Sequence, residues 1–421
     1  MAPDPNAAVT KIVRNDRGRL LAILTRELRD LDLAEESFSE ATVSAIEHWG
    51  RNGVPMRPQA WLLQVARRKA IDRIRKNKRF EERRPELETL MERDADASEA
   101  DVDEIPDSRM RLIFACCHPV LEPKTQVALT LRTICGLTTQ EIAQAFLDKP
   151  SAMGQRLSRA KAKIAETGAG YSIPVRDEWP ERLNSVLNVI YLIFNEGYLA
   201  SSGEAPLRID LCDEAIFLAR LINKLAPEEA EIEGLLALIL LTHGRAGART
   251  DAAGRLVDLD AQDSELWDQA MIDEGIEVLD RAIARLKAGP FQIKAAIHAV
   301  HVDPKRSGPP DWRQIVLLYD SLLIFEDSPV VRLNRAVALA ETGAVSEAFV
   351  QIDALSDTLA AYQPYHAARA EMLARLGKDG EATAAYQKAI EMAQTSAQRA
   401  FLRERQKKGP STKLGLSPTG R

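Results

Sequence analysis

Residues 136–164, GLTTQEIAQAFLDKPSAMGQRLSRAKAKI, hold two short helical patterns separated by a break. Thr138 and Glu141 stand at the spacing where each side chain reaches the other's backbone amide, so the pair opens a helix running through Ile142, Ala143 and Phe146. Asp148, Lys149 and Pro150 read as the break, with Ser151 as N-cap of the second helix. Met153, Leu157, Ala160 and Ile164 then recur at steps of four, three and four, which makes one buried stripe. Two short helices joined by a tight turn form a helix-turn-helix. Projected at about 100° per residue, Ser151, Gln155, Ser158, Arg159 and Ala162 fall opposite the stripe. Arg156 and Lys163 lie on one flank and Lys161 on the other. In a major groove the outward residues meet base edges, Gln being suited to adenine and Arg to guanine, while the flanking cations meet phosphates. Gly154 weakens the helix but, lacking a side chain, admits close approach of a nucleic-acid backbone. A purely structural helical hairpin is the competing reading.

Upstream lies a second cationic helix, WLLQVARRKAIDRIRKNKRFEERR, residues 61–84. Leu62, Ala66, Ala70 and Ile74 recur every four residues, and Val65 and Ile71 widen the stripe. The other faces carry Arg67, Arg68, Lys69, Arg73, Arg75, Lys76, Lys78, Arg79, Arg83 and Arg84, ten basic residues against three acidic ones. Such a helix suits docking on a bundle while it faces a polyanion; a solvated, salt-bridged face is the plainer account. RNGVPMRP, residues 51–58, is a loop by its glycine and two prolines. Beside Trp61 it is placed either to hold an unstacked base or simply to connect two helices.

Before the loop, Arg17 to Trp49 reads as two amphipathic helices, one carrying Leu20, Leu21, Leu24 and Leu28, the other Ala34, Phe38, Ala41, Ala45 and Trp49. Along the second, DLAEESFSEA displays Asp32, Glu35, Glu36 and Glu40, a face fit for solvent or for a basic partner helix. Residues 1–10 read as a tail. Residues 85–107 reverse the charge with ten acidic residues against Arg93, which reads as an acidic linker. The net charge of −6 therefore hides blocks of opposite sign and does not exclude nucleic acid.

Ala and Leu dominate, aromatics are 5% of the chain, and alternating β-branched runs are nearly absent, so the fold class is all-α. Length 421 allows two or three domains. Cys116, Cys117, Cys135 and Cys212 form no CxxC pair and read as small buried residues, so no metal is expected. There is no secretory signal and no long apolar run, which predicts a cytoplasmic protein with no membrane partner. No phosphate-cradling loop, HExxH or nucleophile elbow is present, so neither an enzyme nor a cofactor is expected.

With both basic helices and the linker in view, the first 170 or so residues resemble a bacterial RNA polymerase sigma factor of the extracytoplasmic-function group. DLAEESFSEA is similar to the family's acidic helix that docks on the clamp of the polymerase. The resemblance implies that Asp32, Glu35, Glu36, Phe38 and Glu40 serve polymerase docking, with the core enzyme's clamp helices and flap as partners. PMRPQAWLLQVARRKAIDRIRKNKR, residues 55–79, resembles the segment that recognises and melts the −10 element, implying DNA contacts from Trp61, Arg67, Arg68, Lys69, Arg73, Arg75, Lys76 and Arg79. Residues 136–164 resemble the helix-turn-helix that reads the −35 element, implying contacts from Ser151, Gly154, Gln155, Arg156, Ser158, Arg159, Lys161 and Lys163. Family members often have Lys and Ser where Gly154 and Gln155 stand. The implied organisation is sigma region 2 over 1–84, the acidic linker over 85–107, sigma region 4 over 108–172, and an extension over 178–421.

WPERLNSVLNVIYLIFNEGYLAS (179–201) and RIDLCDEAIFLARLI (208–222) resemble the subgroup whose members carry a C-terminal tetratricopeptide-like helical domain. A repeat is visible without that resemblance. LNRAVALAETGAVSEAF (333–349) overlays residues 367–383 so that Ala336 meets Ala370, Leu339 meets Leu373, Gly343 meets Gly377 and Ala348 meets Ala382. The offset of 34 is the tetratricopeptide period, with the glycine at the turn between paired helices. Residues 208–286 and 312–325 are expected to complete the stack. Leu183–Tyr198 reads as a buried helix ended by glycine, residues 243–256 as a loop able to gate a groove, and His298 with His301 as a helix-face pair lacking a third metal ligand. The whole predicts a sigma factor whose extension, holding a protein or small-molecule ligand, packs on the sigma domains and regulates them. The rivals are a helix-turn-helix regulator that works without replacing the housekeeping sigma factor, and a peptide-binding scaffold.

Overall fold

The alternation of apolar stripes with Gly/Pro breaks yields helices throughout the described residues. The structure is a computed structural model. It describes residues 5–76, 106–146, 148–167, 178–198, 207–251, 255–302, 310–393 and 395–408. Among these the regular elements are helical, apart from one isolated antiparallel bridge between Thr250 and Leu256. The chain divides into two compact units, Met1–Val189 and Ile190–Arg421.

In the first unit α1 (Pro5–Leu28), α2 (Leu31–Asn52) and α3 (Pro58–Lys76) pack on one another. Leu20, Leu21 and Leu24 of α1, Ala34, Phe38, Ala41 and Ala45 of α2, and Leu62, Ala66 and Ala70 of α3 are all fully buried. α1 starts at Pro5, so most of residues 1–10, read as a tail, are helical; Val9 and Ile12 lie buried on the same stripe. Asp30 caps α2 by accepting from the Leu33 amide, and Gly53 ends it at φ +80°. α4 (Pro106–Cys116), α5 (Pro123–Thr133), α6 (Thr139–Ala145) and α7 (Pro150–Glu166) follow, and α4 and α5 also pack on α1. That approach is close: a Cβ on Gly18 of α1 would stand 3.0 Å from the Ile134 carbonyl oxygen just after α5. The acidic linker, except its last residues, lies outside the described residues.

The unit boundary falls inside α8 (Trp179–Tyr198). Gly197 does not end this helix as expected. It sits within the last turn because a Cβ there would come 2.8 Å from the Cys212 amide of α9 (Ile209–Leu225). α10 (Ala230–His243) is apolar nearly all round, and Ile232 and Leu235–Leu241 are almost inaccessible, so it forms the centre of the second unit. α11 (Gln269–Ala284) and α12 (Pro290–Val302) flank it. α13 (Trp312–Phe325), α14 (Pro329–Glu341), α15 (Val345–Asp353), α16 (Gln363–Arg375), α17 (Asp379–Met392) and α18 (Ser396–Lys408) follow, each packed on the one before.

The 34-residue repeat has a structural counterpart. Gly343 and Gly377 occupy equivalent turns at φ +99° and +71°, where residues with side chains are strained. Ala336, Ala370 and Ala348 are inaccessible, which lets the paired helices approach closely. Arg375 donates to Glu341, its own equivalent one repeat earlier, at 2.7 Å. Residues 243–256, read as a gating loop, instead carry a buried polar cluster. Arg245 is 2% exposed, and the Arg249 guanidinium lies 4.1 Å from the centre of the buried Tyr198 ring.

Candidate nucleic-acid interface

The helix-turn-helix is assembled by local chemistry. The Glu141 carboxylate accepts from the Thr138 amide at 2.7 Å while Thr138 Oγ1 accepts from the Glu141 amide at 3.2 Å, the reciprocal box expected from their spacing. The second helix differs from expectation at its start. Pro150 is its first residue rather than part of the break, Lys149 is the cap residue, and Ser151 makes no cap bond. Proline suits that position because its missing N–H has no helical partner there anyway.

α7 buries Met153, Leu157, Ala160 and Ile164, and leaves Ser151, Gln155, Ser158, Arg159, Ala162 and Lys163 exposed. Arg156 is drawn back to Asp148 at 2.6 Å. A Cβ on Gly154 would meet only the Thr139 methyl, 3.9 Å away, so packing does not demand glycine there. Lys161 is turned away from any groove. Its side chain, 15% exposed, bonds Glu35 at 2.9 Å and also pairs with Asp32, both on α2. Burial opposes its charge, but the two carboxylates outweigh that and hold the Lys161 pKa above the ordinary lysine value.

Residues expected on one face of α2 are therefore divided. Glu35 is buried between Lys161 and Arg17, and Phe38 is inaccessible beneath the Arg17 guanidinium, 5.5 Å from its ring centre. Neither is displayed for docking: the apolar stripe of α2 takes Phe38 inward, and Glu35 on its margin is covered by α7. Glu36 and Glu40 remain exposed and share Arg73 of α3, at 2.9 and 2.6 Å. Val43 and Ile46, exposed at 56% and 45%, continue that face as apolar positions off the core stripe, a signal the charge pattern had masked.

On α3, Arg67 is corrected. It is 2% exposed, and its guanidinium grips Glu27 of α1 through two hydrogen bonds of 3.1 and 2.9 Å, so it fastens α3 to α1 instead of facing a polyanion. Arg68, Arg73 and Arg75 are exposed and Lys69 half-buried. Arg79 and the side chain of Lys76 lie outside the described residues. The half-buried Trp61 packs on Trp49 and His48, ring centres 5.4 and 5.3 Å away. Beside it, in the loop before α3, Met56 is fully exposed, an apolar side chain that charge and aromatic patterns did not single out.

The cysteines are buried free thiols; burial pushes Cys117 up to about 12, far from a reactive thiolate.

Comparison with known proteins falls onto these same elements. Residues 12–80 match Sigma-70 region 2 and residues 111–164 match Sigma-70 region 4. The chain belongs to the sigma-70 family. The sigma factor continues into a C-terminal extension whose residues 182–283 match a family of unknown function, DUF6596, and this arrangement is that of an extracytoplasmic-function-like factor with an added domain. It is 42% identical over 390 residues, 92% of each chain, to an uncharacterized protein of Rhizobium meliloti (strain 1021). No solved structure matches it. Regions 2 and 4 support a role in transcription initiation and imply binding to core RNA polymerase and promoter DNA. Among the described residues no helix is long and apolar enough to cross a membrane.

Proposed function

We propose that this sigma factor directs core RNA polymerase to its own set of promoters, with α7 reading the −35 element and α3 with its preceding loop engaging the −10 element. The row Ser151, Gln155, Ser158 and Arg159, exposed on a helix whose opposite side is buried, is the observation that carries the reading. The exposed cations of α3 and Met56 before it support the −10 role, and Glu36, Glu40, Val43 and Ile46 support polymerase docking. Mapping transcript starts made by core enzyme with and without the protein tests this. Protein that binds its promoters alone, or never joins core enzyme, belongs to a simple regulator instead.

The extension, in this reading, is a fused regulator built of tetratricopeptide-like repeats, and what it governs is opening of the sigma part. Elements numbered 10 and 35 are centred roughly 85 Å apart at 3.4 Å per base pair. Yet Lys161 of the −35 helix touches Asp32 and Glu35 of the docking helix. The arrangement is thus a closed one, which must separate before both elements are gripped. Promoter-specific transcription by a chain lacking residues 175–421 tests the regulation; unchanged basal and induced output would remove it.

A further inference from the structure

The described residues of the extension form a cavity. It is lined by Tyr191 of α8, Leu238 of α10, Lys294, Ile297 and His298 of α12, and residues of α13, α14 and their connection. It measures about 30 Å³, space for about two waters. Lys294 and Glu326 pair across its lining at 2.7 Å, and Glu326, with its side chain 42% exposed, is able to turn outward.

Lys294, His298 and Tyr319 of its lining can donate to a ligand, and Tyr191, Glu326 and Asn334 complete the polar wall. His298 is 2% exposed, and its Nδ1 stands 3.1 Å from Arg245 and 3.0 Å from Thr242. Arg245 can only donate, and the Thr242 hydroxyl is already given to the Leu238 carbonyl at 2.7 Å. Nδ1 must therefore accept, which leaves the imidazole proton on Nε2, an atom with no partner among the described residues. Burial, then Arg245, keeps this ring neutral at ordinary pH. The Tyr319 side chain, 5% exposed, likewise has a hydroxyl without a partner among the described residues, and burial holds it protonated. Lys294 adds a cation 5.3 Å from the centre of the Tyr191 ring. Leu238, Ile297, Leu322, Val330 and Val331 supply an aliphatic side to the wall.

We propose that this cavity binds a small monocarboxylate of two or three carbons, which takes the space the Glu326 side chain leaves when it turns outward from Lys294, and accepts from Lys294, Tyr319 and His298 while its alkyl end meets the aliphatic side of the wall. A carboxylate is acceptor-only, so Lys294, Tyr319 and His298 can all donate to it. One cation beside a wall that is half apolar matches a single charge with a short chain better than a phosphate, which carries more charge and no apolar part. The site deepens the regulatory reading of the extension, since a ligand there rearranges the α13–α14 connection that carries Glu326.

Calorimetric titration of the full chain with propionate, phosphate and propylamine tests it. Propionate is expected to saturate one site while the other two do not. Glu326→Gln, which removes the internal competitor, should tighten propionate. Tyr319→Phe should weaken it roughly tenfold, the loss of one hydrogen bond to a charged group, and Lys294→Gln should weaken it further. Unfolding midpoints of each variant report whether it is folded. Because Glu326→Gln is exposed and predicted to gain affinity, absence of propionate binding by both the wild type and this folded variant overturns the proposal. Preference for phosphate, or propionate affinity indifferent to Tyr319 and Lys294, overturns it too. Propionate binding without any effect on transcription would leave the site standing and count against the regulatory reading. A transcriptional effect of deleting the extension without propionate binding would do the reverse.

Discussion

Arg67 and Arg68 are neighbours in one cationic run, yet Arg67 sits inside the bundle on Glu27 while Arg68 is exposed. Replacing Arg67 with Ala leaves the Glu27 carboxylate, 4% exposed, without its bidentate partner. Losing one member of a buried pair costs about 3–5 kcal/mol, so the variant should unfold at much lower urea. Arg159→Ala, at an exposed position, should leave that midpoint unchanged and instead weaken promoter binding by about 1–3 kcal/mol, read by titrating holoenzyme onto its promoter. His298 gives a pH signature. Its folded pKa lies well below 6.5, so the unfolded chain takes up the proton first. Stability is complete above pH 6.5 and falls as pH drops below it, by up to about 1.4 kcal/mol per unit for this one group. His243, whose pKa is lowered mainly by burial, acts in the same direction. Denaturation midpoints measured at pH 7 and near 5.5 should show a shallower pH slope for His298→Asn than for the wild type.

At the scale of the helices, the turn glycines and the glycine within α7 have opposite roles. Gly343 and Gly377 close equivalent turns in the left-handed region, where a side chain costs about 1–2 kcal/mol. Gly343→Ala and Gly377→Ala should each lower the unfolding midpoint, whereas Gly380→Ala, in α17 with open space around it, should not. Gly154 lies mid-helix in α7 with room for a Cβ, so Gly154→Ala should stabilise by up to about 1 kcal/mol. If its small size serves approach to DNA, promoter affinity should fall while stability rises; a parallel gain in both would show that glycine has no such role.

Across the first unit, the decisive feature is that α2 and α7 share one ion-pair cluster. Lys161→Ala removes α7 from Asp32 and Glu35 while Arg17 still accompanies the buried Glu35. In the closed-to-open reading this shifts the population towards the open form, and core-enzyme affinity should rise roughly fivefold. Lys163→Ala, exposed on the same helix, serves as the control and should leave core affinity unchanged. Equal affinities for wild type and Lys161→Ala would remove the closed state as a brake.

Local chemistry that acts within one turn or one helix was legible in the sequence by itself. The Thr138–Glu141 box, the stripes of α1, α2, α3 and α7, the outward row from Ser151 to Arg159 and the paired glycines at an offset of 34 all follow from spacing, because a helix's own periodicity sets which residues share a face. Only the tertiary structure decided what covers those faces. That Arg67 turns inward to Glu27, that Phe38 and Glu35 are taken from the docking surface, and that Lys161 reaches α2 are contacts between residues 18 to 126 positions apart. Charge on a helix face says that a partner of opposite sign is wanted. Whether that partner is a nucleic acid or a carboxylate of the same chain depends on which helix the fold lays against it.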